Sequence, residues 1–150
     1  MPRQTPPPAA ALHGSPDDVE AQFYEALQRG DIARLMAVWA DDDEVVCVHP
    51  GGGRLIGAAA IRESFEAIFA NGVIPVQPEK IHRIQALGSA VHHLVARITV
   101  DGPAGKQQVW VLTTNVYMKT AQGWRLAAHH SSPGEADEPP AAGDAPSVLH

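Results

Sequence analysis

Histidine carries the chemistry that this sequence offers most readily. Near neutral pH an imidazole can take up or release a proton. His49 closes an apolar, β-branched run, Glu44–His49, directly before Pro50 and the turn Gly51-Gly52-Gly53. A strand that ends on a titratable group beside a turn can hold that group at the mouth of an apolar cavity. A second candidate is His130, in the last apolar stretch of the chain, where strand alternation groups it with Trp124, Leu126 and Ala128. His49 and His130 are therefore the candidate acid–base residues, with Thr114 as a hydrogen-bonding group between them. Trp39, Phe65, Trp110 and Met118 offer flat or flexible apolar surface for a ligand-binding wall. Plain core packing is the alternative for each of them, and a bond to a nearby carbonyl is the alternative for His49.

Other patterns offer less. The pairs His92-His93 and His129-His130 are neighbours on strands, so each pair points to opposite faces and cannot chelate one ion. A site drawn from His49, His92 and His130 lacks supporting carboxylates, and no metal is expected. Cys47 shares the face of His49 and reads as a buried, inert thiol. Gly51-Gly52-Gly53 has no lysine and no strand–loop–helix setting, so it is a turn and not a phosphate loop. Asp41, Asp42 and Asp43 read as a solvated helix end. No motif asks for a cofactor.

The elements that must position these residues follow from local chemistry. Ser15 is a good N-cap, Pro16 suits the first helical position, and Asp17 and Asp18 favour the positive helix end. The first helix runs to about Arg29 with Val19, Phe23, Ala26 and Leu27 on one stripe, and Gly30 breaks it. Asp31 caps a shorter helix with Ile32, Leu35, Met36 and Trp39 inward. A third helix follows Gly57, its face marked by Ile61, Phe65, Ile68 and Phe69. Strands are expected at Glu44–His49, Val73–Leu87, Val91–Asp101, Gln107–Lys119 and Trp124–Ser132. Pro75 and Pro78 place the start of the second of these at an edge or a bulge.

The faces of the long strands are assigned by apolarity. Trp110, Leu112, Thr114, Val116 and Met118 are expected to face the helices, as are His92, Leu94, Ala96, Ile98 and Val100. The opposite set, with Val109, Val111 and Tyr117, is too apolar for water and predicts a homodimer through the outer sheet face. Helices first and strands last argue for an α+β fold.

The whole chain bounds the partners. It has 150 residues, 45% of them hydrophobic, enough for one domain with a real core. A net charge of −6 gives no basic footprint for nucleic acid and no reason to bind anionic membranes. One cysteine excludes an internal disulfide. The N-terminus lacks the continuous apolar core of a signal peptide, and a cytoplasmic protein is expected. Residues 1–14 and the acidic, Pro/Ala-rich residues 133–150 read as disordered ends flanking a domain at 15–132.

The motifs L-Q-R-G-D-I, W-A-D-D-D-E-V-V-C-V-H-P-G, G-A-A-A-I-R-E-S-F and G-W-R-L-A-A-H-H-S-S-P, in that order, resemble the nuclear-transport-factor-2-like superfamily. The nearest branch is the SnoaL-like group, related to ketosteroid isomerases, polyketide cyclases and the kinase association domain. The resemblance implies a cone-shaped barrel of a curved, mostly antiparallel sheet, about three helices on its concave face, and a pocket between them. Against the isomerases, the general base position falls on His49, the oxyanion tyrosine on Phe23, and the oxyanion acid near Thr114 or Asn115. All three isomerase groups are replaced, so steroid isomerisation in its standard form is not expected. Phe23 joins the expected ligand-binding residues on this ground. Three classes follow from the resemblance: an acid–base enzyme using His49, a pocket protein for a small apolar or polycyclic ligand, or an oligomerisation module.

Overall fold

The computed structural model describes residues 14–135. The expected arm and tail lie outside that range, apart from residues 14 and 133–135.

Helix α1, Pro16–Arg29, starts as its sequence dictates: the Asp18 N–H donates to the Ser15 hydroxyl at 3.1 Å. It stops at Gly30, whose φ of 66° lies in the left-handed region. Helix α2, Ile32–Ala37, is capped by Asp31, which accepts from the Arg34 N–H at 3.0 Å. Helix α3, Ala58–Phe69, buries Ile61 and Phe65. Val19, Phe23, Ala26, Leu35, Ile61 and Phe65 from these helices form one core with Leu94, Ala96, Tyr117 and Leu126 of the sheet. Removing that apolar surface from water is what holds helices and sheet together.

The strands are β1 (Val46–Val48), β2 (Arg54–Ile56), β3 (Val76–Gln85), β4 (Ser89–Gly102), β5 (Gly105–Thr120) and β6 (Gly123–Pro133). They form one sheet in the order β2-β1-β6-β5-β4-β3, antiparallel except where β1 runs parallel to β6. Strand β2 was not expected; the glycine turn closes a short hairpin in which Cys47 pairs with Leu55. Strand β3 lies on the sheet edge, where Pro78 leaves no ladder bond broken inside the sheet. Its register shifts between Glu79 and His82, around Lys80 at a φ of 51°. The fold is α+β, a curved sheet that ends in β2 and β3 without closing, with its helices on the concave side.

The expected face of β4 is correct: His92, Leu94 and Ala96 are buried toward the helices. Register then fixes β5, because His92, Leu94 and Ala96 pair with Asn115, Thr113 and Val111. The inner face of β5 is thus Val111, Thr113, Asn115 and Tyr117. Trp110, Leu112, Thr114, Val116 and Met118 lie on the outer face, the reverse of the expectation. Apolarity misled because the inner face is where polar groups of the protein meet one another, while the outer face is apolar and lacks a cover in a single chain.

In β6 the alternation itself breaks. Tyr117 pairs with Leu126 and Val116 with Ala128, leaving Ala127 as an extra residue. Trp124 and Leu126 face inward as expected, but beyond the bulge His129 and Ser131 are buried and His130 is exposed on the outer face.

Candidate ligand site

A cavity of about 70 Å³ lies between the sheet and helices α1 and α3. Its apolar walls include Tyr24, Leu27, Phe65, Ile74, Val76 and Ala96. His49 and Pro50 stand at one side, and Thr113, His129 and Ser131 at the other. The parallel pairing of β1 with β6, Cys47 opposite His129, brings the two histidines to one space. His49 reaches α3, where its Nε2 lies 2.7 Å from the Ser64 hydroxyl, and its ring meets Phe65 edge to face at 4.9 Å.

Behind the cavity runs a chain of buried polar side chains. Thr113 Oγ1 lies 2.9 Å from Ser131 Oγ, and Ser131 Oγ lies 3.3 Å from His129 Nε2. His129 Nδ1 is 2.6 Å from Asn115 Oδ1. The Asn115 amide donates to the Tyr24 hydroxyl at 3.1 Å and to Glu20 Oε2 at 3.4 Å. Tyr117 donates its hydroxyl hydrogen to the same carboxylate oxygen at 2.9 Å. Glu20 is only 4% exposed, and Asn115 is fully buried. His92, 1% exposed, places Nδ1 at 3.0 Å from Glu20 Oε2, off the line of a hydrogen bond. Asp17, Glu20 and His92 group within ligating distance of one another, but Arg83 already pairs with Asp17 at 2.8 Å.

Burial sets the electrostatics. It pushes the His129 pKa down to about 3, helped by the proximity of His49 and His130. Burial also lowers the pKa of His49. Both imidazoles are therefore neutral near pH 7. Burial first, then the charge of Glu20, raises the Tyr117 pKa, and burial raises that of Tyr24, so both phenols keep their hydrogens. Cys47 is pushed up to about 12 by burial, which keeps the thiol protonated and unreactive.

Of the residues expected from sequence, the structure brings His49 and Phe65 to the cavity. His130 is displaced from it by the bulge, and its neighbour His129 takes the inward place. Trp110, Thr114 and Met118 are on the outer face; Met118 lines an open surface groove beside Asp41 and Asp42. Phe23 and Trp39 are buried core. Phe23 packs 5.0 Å from the His129 ring and supports it from behind, and Trp39 forms a parallel bridge with Leu126. Sequence reasoning missed Glu20, Tyr24, Thr113 and Ser131. A signal existed for the strand groups: Thr113 and Asn115 share one face of β5, within a run Val109–Met118 that is apolar apart from them and Thr114.

The model of the SnoaL-like domain family matches residues 17–135. No curated protein matches the chain. Among solved structures, a Thiobacillus denitrificans protein provisionally assigned as a calcium/calmodulin-dependent protein kinase type II association domain is 32% identical, with a TM-score of 0.74 over 83% of this chain and 98% of its own. A Streptomyces avermitilis protein provisionally assigned as a dehydratase of the NTF2-like family is 31% identical, with a TM-score of 0.70 over 79% of this chain and 93% of its own. The CaMKII hub from S. rosetta shares the fold at 19% identity and a TM-score of 0.64, covering 88% of this chain and 100% of its own. The protein belongs to the SnoaL-like domain family, within the nuclear-transport-factor-2-like superfamily.

Proposed function

We propose that this protein binds a small molecule in the cavity between His49 and His129. The observation that carries this reading is the convergence of two neutral imidazoles and two hydroxyls on one largely apolar space. Such a space with a few placed polar groups is what a ligand site needs. Its volume of about 70 Å³ falls well below the roughly 300–1,000 Å³ of pockets for drug-sized ligands. A ligand seated without rearrangement therefore has few heavy atoms, and a polycyclic one would need the walls to part.

His49 is the better candidate for proton transfer. It is only half-buried and bonds to the Ser64 hydroxyl, so it can exchange protons with a ligand and with water. His129, with its pKa near 3, is a weak base and serves as a fixed hydrogen-bonding group.

The experiment is a fragment screen by ligand-detected NMR on the wild type, Ala96→Leu and His49→Ala. Ala96 is a wall residue, and leucine there fills the cavity with apolar atoms. Fragments should bind the wild type, lose binding in Ala96→Leu, and bind more weakly in His49→Ala. Undiminished binding to a folded Ala96→Leu variant would place the ligand site elsewhere.

The outer sheet face supports a second reading, in which the chain assembles with itself. Leu112 and Met118 are 36% and 48% exposed on that face, beside half-buried Trp110 and Val116. The likeness to the provisionally assigned kinase association domain points the same way. Assembly and ligand binding use opposite faces of the sheet, so the readings are compatible.

A further inference from the structure

The polar chain behind the cavity has a direction, and Glu20 sets it. Two donors, the Tyr117 hydroxyl and the Asn115 amide, converge on Glu20 Oε2. An ionised carboxylate accepts only. Turning the Asn115 amide over would set its Oδ1 against that carboxylate, oxygen to oxygen. The amide nitrogen is therefore held toward Glu20 and Tyr24, and Oδ1 toward His129. A carbonyl oxygen 2.6 Å from His129 Nδ1 requires the hydrogen to be on Nδ1. A neutral imidazole carries one ring hydrogen, so Nε2 keeps a lone pair.

The consequence reaches the cavity through two hydroxyls. With only a lone pair on Nε2, the 3.3 Å contact takes the Ser131 hydrogen, so Ser131 donates to His129 Nε2 and accepts from the Thr113 hydroxyl. The Thr113 hydrogen is thus used within the wall, and lone pairs on Thr113 are what it offers a ligand. This wall therefore meets a ligand with an acceptor.

We propose that Glu20 and Asn115 are positioning residues that hold His129 as its Nδ1–H tautomer, so that the cavity selects small neutral molecules bearing an O–H or N–H group over carboxylates. This rests on the cavity being a ligand site. A carboxylate would bring lone pairs against lone pairs on this wall, and losing water costs a charged group more than a neutral one.

The test has two parts on the full chain. Two-bond proton–nitrogen spectra of the histidine rings give the tautomer directly. His129 should carry its hydrogen on Nδ1 in the wild type, and Glu20→Gln, which gives Asn115 a partner that can also donate, should yield a mixture of tautomers. An Nε2–H tautomer in the wild type overturns the proposal, as does an unchanged tautomer in folded Glu20→Gln. The wild-type spectrum decides the point even where that variant does not fold.

The second part titrates acetamide and acetate, a pair of similar size, while following Thr113 and His129. Acetamide should bind at least about tenfold more tightly than acetate in the wild type, and the ratio should fall in Glu20→Gln. Equal binding overturns the ligand preference alone. Binding of neither at about 100 mM, with the Nδ1–H tautomer in place, overturns the preference through failure of the ligand-site reading itself.

Discussion

His129 lies at the centre of this structure because burial and bonding act on it in the same direction. Its folded pKa near 3 lies below the ordinary value of 6.5. Between those values the unfolded chain binds the proton that the folded one refuses. Stability present above pH 6.5 is therefore lost as the pH falls toward 3, at up to about 1.4 kcal/mol per pH unit for this residue. His49, also lowered by burial, adds in the same direction. Urea unfolding at pH 7, 6 and 5 should show the wild type losing stability more steeply than His129→Phe. Parallel slopes would mean that His129 is not buried as described. At the residue scale, the position of His49 beside the cavity could be expected from its place before Pro50, at a strand end beside a turn. Glu20 was invisible, because a glutamate one position away from the apolar stripe of α1 looks like solvated surface until Asn115 and Tyr117 are known to face it.

The elements were mostly legible, and so was the face of β4, but the faces of β5 and of the end of β6 were not. Ser15, Gly30, Asp31 and Gly57 mark helix ends by local chemistry, which acts over a few residues and can be read directly. Which side of a strand faces the core depends on pairing, which is not local. One extra residue, Ala127, exchanges His130 for His129 at the cavity, and nothing in the run Leu126–His130 distinguishes a bulge from regular alternation. The same non-locality reversed β5, whose apolar residues turned out to be the outer ones. Two substitutions test the assignment of β6. His129→Phe removes the donor to Asn115 Oδ1 and should cost about 1–3 kcal/mol at pH 7. His130→Phe, on the exposed outer face, should change stability by less than about 0.5 kcal/mol. Urea denaturation of both compares them, and the reverse order of costs would restore regular alternation.

At the scale of the molecule, one sheet has two faces of different character. Its concave face closes over a polar chain and a small cavity. Its convex face presents Leu112, Met118, Trp110 and Val116, a surface suited to a second copy of the chain, since a two-fold interface reuses one patch. Sedimentation velocity at micromolar concentration should give a dimer for the wild type and a monomer for Leu112→Glu, with the fold unchanged; a monomeric wild type would remove the assembly reading. The central claim, that the concave cavity binds ligand between His49 and His129, has a more direct test. Histidine-ring spectra recorded while any fragment hit is titrated should show His49 and His129 moving together at one common affinity, with His82, His93 and His130 still. Movement of His130 or His93, with His129 unmoved at saturation, would contradict it.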